Sequence, residues 1–486
     1  MTAIGFPDTF CFGVADADLQ VIGEKYTCAE EKSVRTMWSY FAQHSGKCFQ
    51  HQGPEEGIDR YHKWQDDIRL MSSLGVKHYR TSVSMSRILK ENGEVNRNAV
   101  TWYTNYFKTL KKNGIAIYAT LYHWELPLYL HEIGGWKNPR VIDVFVKHAR
   151  AVAENLGEYI DEYFILNEPW CASMLSYHLG AHAPGETNLK GALTAAHHLL
   201  LAQGAAYEAL LHLNNDLKIS TVVNVEPSYA FSLRENDREA ARRADGYFNR
   251  WFLDPVYLGS YPEDMVALYG KDMPKVKAAD MKTIAIGINL YTLGINNYCG
   301  RINRYDPKAP LGYSSVNKPG APTNDLGWPI FVPPYYPEAL YDILQQVYYS
   351  YQSHGLKRLY ITENGMALES KVSLRNPVPS LVGGTGTGVM GDEKVVNDQR
   401  RVEYLKAHIT QVYKAVQRGI PIEGYFAWTL MDNFEWAEGY RPKSAFGMVY
   451  VDRTTMERIP KQSALWYANL MKTNTISTFK GVTLQE

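Results

Sequence analysis

The sequence predicts an α/β fold, a single (β/α)8 (TIM) barrel with long loops at the C-terminal face of its strands. Three observations carry that expectation. Short β-branched and aromatic runs alternate with longer helical patterns eight times along the 486 residues. Two of those runs end alike, Tyr163-Phe164-Ile165-Leu166-Asn167-Glu168-Pro169 and Arg358-Leu359-Tyr360-Ile361-Thr362-Glu363-Asn364-Gly365, each a strand closing on Asn and Glu before Pro or Gly breaks it. The irregular stretches 24–59, 297–336 and 366–396 all follow strands, on the face where such barrels keep their sites.

Taken in order, the expected strands are Phe10 to Ala15, Val76 to Ser82, Ile117 to Tyr122, Tyr163 to Asn167, Lys218 to Val223, Tyr291 to Asn296, Arg358 to Thr362 and Ile422 to Trp428. Apolar residues at helical spacing predict helices over Tyr61 to Leu74, Thr101 to Lys112, Val141 to Leu156, Ala192 to Leu213, Pro337 to His354 and Asn397 to Arg418. Several end near glycine, as Leu74-Gly75 does, which suits a C-terminal stop. A doubly wound open sheet is the competing topology, but no GxGxxG follows the first strand. No solenoid repeat and no Pro-, Gly- or Ser-rich linker divides the chain, so one catalytic domain over 1–486 is expected. The run Gly383-Gly384-Thr385-Gly386-Thr387-Gly388 lacks the Lys-Ser or Lys-Thr ending of a phosphate loop and reads instead as a mobile loop over a pocket.

Composition narrows the partners. Lys plus Arg and Asp plus Glu both number 51, and a chain of zero net charge lacks the basic excess that nucleic acid or an anionic membrane demands. Hydrophobic residues make up 45% and charged ones 21%, as in a soluble protein with a large core. The 35 Tyr and 11 Trp exceed what a core alone asks for and suit a pocket that stacks flat, half-polar ligands. Cys11, Cys28, Cys48, Cys171 and Cys299 are odd in number and show no CxxC spacing, so reduced thiols are expected rather than disulfides or a zinc knuckle. The start, Met1 to Asp8, has no signal-peptide pattern, and no run of roughly 18 apolar residues occurs. The expected location is the cytoplasm.

On a barrel, Glu168 at the end of strand four and Glu363 at the end of strand seven point at one mouth. Either glutamate alone reads as well as a solvated loop residue; two at equivalent strand ends call for a joint explanation. Cleavage of a glycosidic bond needs such a pair, one carboxyl to protonate the leaving oxygen and one to attack or support the sugar cation. The other strand ends supply Arg80, His123-Trp124, Asn296-Asn297-Tyr298 and Trp428, followed by Asp432-Asn433-Phe434-Glu435-Trp436. Polar side chains for hydroxyls and aromatic faces for sugar rings are both present. Taken alone, His123 is equally a satisfied core histidine and Trp428 a core aromatic, whereas Glu435 between two bulky aromatics needs a partner if buried.

Thr362-Glu363-Asn364-Gly365 and Leu166-Asn167-Glu168-Pro169 resemble the signatures of glycoside hydrolase family 1, the β-glucosidase and β-galactosidase family. So do Tyr79-Arg80-Thr81-Ser82, Tyr122-His123-Trp124, Gly134-Gly135-Trp136, Ala183-Pro184-Gly185, Asn249 to Pro255, Gly327-Trp328, Asp432 to Trp436, Phe446 to Asp452 and Lys461-Gln462-Ser463, all in order. The resemblance implies a retaining hydrolase acting on β-glucosides, β-galactosides or β-fucosides in two steps, without metal or cofactor. It makes Glu363 the nucleophile and Glu168 the acid that then serves as base. Arg80, Asn296 and Tyr298 would support Glu363. Asn167 would bind the sugar 2-hydroxyl, and Gln20, His123, Glu435 and Trp436 the other hydroxyls. Trp428 would form the floor, with Phe446 beside it and Trp328 on the aglycone side. The partner is then a small β-glycoside or oligosaccharide, and a homo-oligomer stays open.

The chain departs from the family around its first strand. Phe12 stands for the usual tryptophan, Ile22 for the usual glutamate, and Asp16 and Asp18 add charge; Ser84-Met85-Ser86-Arg87-Ile88 replaces Ser-Trp-Pro-Arg-Ile, and Asn297 a common tyrosine. These changes admit an unusual aglycone or glycone preference. Glu168 is no glutamine, unlike in plant thioglucosidases, and Glu435-Trp436 is intact, unlike in phospho-glycosidases. A transglycosidase using an alcohol acceptor and a non-catalytic glycan-binding barrel remain the rival classes.

Overall fold

The computed structural model describes residues 4–317, 320–327, 336–375 and 393–476. Strands β1 (Cys11–Ala15), β2 (His78–Ser82), β3 (Ala116–Tyr122), β4 (Glu162–Asn167), β5 (Ile219–Asn224), β6 (Leu293–Asn296), β7 (Leu359–Asn364) and β8 (Ile422–Trp428) close into a barrel in sequence order, each parallel to its neighbours. The expected (β/α)8 fold is the observed one. β7 runs two residues further than its β-branched stretch implies. Its ladder continues past an irregularity that sets Glu363 opposite Asn296 and Asn364 opposite Ala427, so pairing outlasts local propensity.

The longer helices are α1 (Arg60–Ser73), α2 (Arg97–Lys112), α3 (Arg140–Leu156), α4 (Leu189–Leu213), α5 (Glu235–Asp245), α6 (Glu338–Tyr351), α7 (Gln399–Gln417) and α8 (Gln462–Thr473). In α3 the buried residues Val141, Phe145, His148, Val152 and Leu156 recur every three or four positions and form the stripe that meets the barrel. Asn188 caps α4 by accepting from the Gly191 N–H at 3.3 Å. α5 was not expected. It is polar almost throughout, with Glu235 and Asp237 in its first turn and Arg242 and Arg243 in its last, a distribution that complements the helix dipole but leaves few apolar residues to reveal its period.

Two stretches expected to be irregular carry strands. Arg301–Tyr305 lies between Tyr313–Val316 and Ser228–Ala230 in a three-stranded sheet that packs on α5. Val372–Arg375 pairs antiparallel with Glu393–Val396. The glycine run 383–388 lies outside the described residues. Among the described residues no helix is long and apolar enough to cross a membrane, and all five cysteines are unpaired.

The core has two parts. A shell of Ile, Leu, Val and aromatic side chains fills the space between strands and helices, while Tyr118, Phe164, Val222, Tyr360, Phe426 and Trp428 fill the barrel itself. The first-strand departures find their reasons here. Phe12 packs edge-on to Phe6, with ring centroids 5.1 Å apart, and to Tyr467 at 6.2 Å. The Asp16 carboxylate accepts from Tyr79 Oη at 2.7 Å and Thr81 Oγ1 at 2.8 Å and pairs with Arg60 at 3.2 Å. Arg60 also pairs with Asp67 at 2.7 Å. Asp18 pairs with Arg87 at 2.9 Å, and Glu31 holds the other side of that guanidinium at 2.6 Å. The added carboxylates are therefore each held against an arginine within the protein body, one that also serves a second acid.

Removing one partner of a buried pair leaves an uncompensated charge, which costs about 3–5 kcal/mol. Arg60→Met takes the cation from Asp16, while Asp67 keeps Arg458 at 2.8 Å, and is expected to lower the urea midpoint by a corresponding amount. A midpoint within error of the native chain would mean that the pair contributes nothing.

Candidate active site

Glu363 and Glu168 both face the mouth left by the C-terminal strand ends, and both are buried. Arg80, on β2, points into the barrel and is wholly inaccessible to solvent. Its Nη1 donates to Glu363 Oε1 at 2.6 Å, and its Nη2 to Asn167 Oδ1 at 2.7 Å. Tyr298 Oη donates to the other Glu363 oxygen at 2.8 Å. Asn296, opposite Glu363 across the ladder, donates through Nδ2 to Glu168 Oε1 at 2.6 Å and accepts from Thr362 Oγ1 at 2.7 Å. Its amide also favours the ionised form of Glu363, so it serves both carboxyls.

Backbone geometry aims the two acids. Glu168 has φ +48°, a left-handed conformation that a residue with a side chain adopts only where its surroundings enforce it. Its N–H is held by Val222 O at 3.0 Å, and its Oε2 accepts from Cys171 Sγ at 2.9 Å. Beyond Glu363, Asn364 is an anchor. It accepts from Tyr425 Oη at 2.6 Å and donates to Asn297 O at 2.7 Å. Gly365 follows because a Cβ there would lie 1.8 Å from the Trp428 carbonyl oxygen, closer than any side chain allows.

The proton affinities of the two carboxyls differ. Burial first, and then the charge of Glu363, push Glu168 up to about 8 against the opposing hydrogen bonds from Cys171 and Asn296. Burial raises Glu363 as well, but Arg80 first, and then Tyr298, pull it back. Of the two, only Glu363 has a guanidinium in contact, and that contact favours its charged form.

The remaining expected residues converge on the same mouth. Gln20 donates through Nε2 to Phe434 O at 2.7 Å and to Asn433 Oδ1 at 3.2 Å, while its Oε1 is buried without a partner among the described residues. His123 Nε2 lies 3.1 Å from Asn167 Nδ2, and its ring is near parallel to Trp428 at 5.7 Å and to Trp436 at 5.9 Å. Burial holds His123 well below the usual histidine range, with Arg80 adding to the effect, so its ring is neutral. Glu435 is half-buried, and desolvation followed by the nearby carboxylates raises it well above the usual range. Phe446 meets Tyr298 edge-on at 5.8 Å. Trp328 lies outside the described residues.

Sequence reading passed over several members. Cys171 touches Glu168, and its position three residues on is the spacing that brings side chains together in a helical turn. Trp124, already expected at the mouth but given no role, donates through Nε1 to Asn167 O at 3.1 Å. His182 and Trp38 pack against the Trp124–Trp436 cluster, with ring centroids 5.3 Å from His182 to Trp124 and 4.8 Å from Trp38 to Trp436. His182 directly precedes the Ala183-Pro184-Gly185 motif, the one signal that pointed to it. Among the described residues no group of three or more His, Cys, Asp or Glu is arranged to hold a metal ion.

Two carboxyls of unequal proton affinity, set among amides and aromatic rings at the mouth of a (β/α)8 barrel, define the class: a glycoside hydrolase. The chain belongs to glycosyl hydrolase family 1, whose model matches residues 2–476. It is 37% identical over 472 residues to beta-glucosidase A of Thermotoga maritima, covering 96% of this chain and 98% of that one. It is 34% identical over 490 residues to a bifunctional beta-D-glucosidase/beta-D-fucosidase of Bifidobacterium breve, covering 96% and 98%. Among solved structures, the GH1 beta-glucosidase of Exiguobacterium antarcticum superposes with a TM-score of 0.87 at 35% identity, covering 97% of this chain and 99% of that one. A Thermotoga maritima family 1 glycoside hydrolase complexed with a cyclophellitol analogue transition state mimic gives 0.88 at 35% identity, covering 98% and 100%.

If the charge of Glu363 raises Glu168, then Glu363→Gln lowers the titration point of the Glu168 carboxyl. Carbon-detected NMR of labelled glutamate reads this directly. Identical titration in both proteins would mean that the two carboxyls do not interact.

Proposed function

We propose that this protein is a retaining β-glycosidase that releases terminal β-D-glucosyl residues, and accepts β-galactosides and β-fucosides, by double displacement. The observation that carries the reading is the asymmetric carboxyl pair, in which Arg80 and Tyr298 hold one member charged while burial keeps the other protonated.

In the first step Glu363 attacks the anomeric carbon, and Glu168 gives its proton to the departing glycosidic oxygen. Glu168 can do so at neutral pH because its proton is held up to about 8. When Glu363 becomes an ester its negative charge is gone, and with it one cause of Glu168's raised affinity. Glu168 then ionises more readily and takes the proton of the incoming water, which restores Glu363 and leaves the β configuration. Asn167, fixed by Arg80, is proposed to hold the 2-hydroxyl, where contacts tighten as the sugar cation develops. The unpartnered Gln20 Oε1 supports its role as an acceptor for a glycone hydroxyl, together with His123, Glu435 and Trp436 over the Trp428 floor. Trp328 is proposed on the aglycone side. The fucoside range draws support from the bifunctional relative. The chain acts as a single catalytic domain, and its five unpaired cysteines support a reducing compartment such as the cytoplasm.

Glu363→Ala is expected to lower kcat on a nitrophenyl β-glucoside by on the order of a thousandfold or more, since it removes the attacking group. Full activity in that variant would end the nucleophile assignment, and no nitrophenol from the wild type across a panel of β-glycosides would end the enzyme reading. In the wild type, kcat/KM is expected to fall as pH rises through about 8, where Glu168 loses its proton. Glu168→Ala with external azide is expected to yield the β-glycosyl azide; an α product would exclude retention.

A further inference from the structure

Glu168 has to work in two protonation states, and its two oxygens are not partnered alike. Oε1 receives the Asn296 amide at 2.6 Å. That amide cannot turn round, because its Oδ1 accepts from Thr362 Oγ1 at 2.7 Å and its Nδ2 also donates to Asn167 Oδ1 at 3.1 Å. An N–H can only donate, and the hydroxyl of a carboxylic acid accepts poorly. Oε1 therefore stays the carbonyl oxygen, and the acid form of Glu168 carries its proton on Oε2. The group against Oε2 is the Cys171 thiol, at 2.9 Å.

Of these two contacts the thiol alone can both donate and accept. Its sulfur is held in place. Cys171 is buried, and its turn is closed by Ala172 N–H on Glu168 O at 3.1 Å and by Ser173 Oγ on Pro169 O at 2.6 Å. From the end of β5, Asn224 Nδ2 donates to the sulfur at 3.6 Å, which occupies one lone pair and turns the S–H toward Oε2. Burial first, and then Glu168 itself, hold the thiol far above its usual range, so it keeps its proton whichever form Glu168 takes.

We propose that Cys171 is a positioning residue of the proton transfer, donating its S–H to Oε2 when Glu168 is ionised and accepting the Oε2 proton when Glu168 is the acid. This inference rests on the β-glycosidase reading above. No proton passes to sulfur. The thiol keeps its own hydrogen, and only the direction of one hydrogen bond reverses as Glu168 gives its proton to the leaving oxygen and later takes one from water. A bond to a charged acceptor is stronger than one to a neutral thiol sulfur, so the contact favours the ionised form. It thereby serves the second step, in which Glu168 is the base, and its sign agrees with the lowering that Cys171 exerts on Glu168.

The test is the pH dependence of each step in the wild type, Cys171→Ala and Cys171→Ser, on the whole enzyme. The charged and titratable groups facing Glu168 and Cys171 are Glu363 on β7, Arg80 on β2, Tyr298 after β6, Glu226 after β5 and Glu435 after β8. Neither substitution changes any of them. The first step is read as kcat/KM on phenyl β-glucoside, whose leaving group needs a proton. The second is read as the hydrolysis rate of glycosyl-enzyme trapped with a dinitrophenyl deoxyfluoro-β-glucoside. Cys171→Ala removes the donor and is expected to move the basic limb of the first profile and the acidic limb of the second up by about half a unit, slowing hydrolysis on the acid side about threefold. Cys171→Ser, whose hydroxyl both donates and accepts, is expected to hold both limbs near their wild-type positions. Limb positions do not depend on how much of a preparation is folded. Limbs unmoved in Cys171→Ala, or moved alike by alanine and serine, overturn the proposal, because a packing role treats the two variants alike. A wild type that neither cleaves phenyl β-glucoside nor forms the trapped enzyme overturns the β-glycosidase reading instead.

Discussion

The site depends on one buried cation. Arg80 stands inside the barrel with its guanidinium over the Phe164 ring at 5.7 Å and no access to water. A charge so placed is tolerated only if anions and acceptors surround it. Glu363 supplies the anion, and Thr362 O and Asn167 Oδ1 the acceptors. The strand ends that carry those groups, β4 and β7, are thus tied to β2 across the barrel. Moving any one of them would leave the arginine unpaired, and that is how a closed sheet comes to hold side chains in fixed relation at its mouth.

The same contact decides which acid is which. Glu168 and Glu363 are both buried, and burial alone would protonate both. Arg80 breaks the tie, because its Nη1 touches Glu363 while its Nη2 is committed to Asn167. Glu168 is left with an amide and a thiol, which solvate its charge far less than a guanidinium does. Two chemically identical side chains so acquire opposite duties from one asymmetry in hydrogen bonding.

Much of this was legible in the chain. All eight strands were, since each is a short β-branched or aromatic run between helical stretches, and β8 falls on the predicted Ile422 to Trp428. The pairing of Glu168 with Glu363 was legible because equivalent ends of parallel strands share one face of a barrel. The three-stranded sheet was not. Arg301–Tyr305 is charged on most of its exposed positions, and its partner Ser228–Ala230 is only three residues long, too short to show a period. Cys171 was invisible as a site residue because a thiol next to a carboxyl is set by a local turn, not by any strand pattern. Neither could the sequence reveal that Glu168 takes a left-handed backbone, since that conformation is enforced by the ladder and the turn around it rather than by the residue itself.

The first-strand departures sharpen what the barrel tolerates. Asp16 and Asp18 introduce two charges within four residues of Gln20, yet each is met by an arginine from another element, Arg60 at the start of α1 and Arg87 after β2. Each of those arginines also holds a second acid, Asp67 on Arg60 and Glu31 on Arg87, so the added carboxylates are built into buried ionic clusters that tie β1 to other elements. The substitutions therefore act on stability and on the seating of β1, while Gln20 keeps the contacts with Asn433 and Phe434 that tie it to the loop after β8.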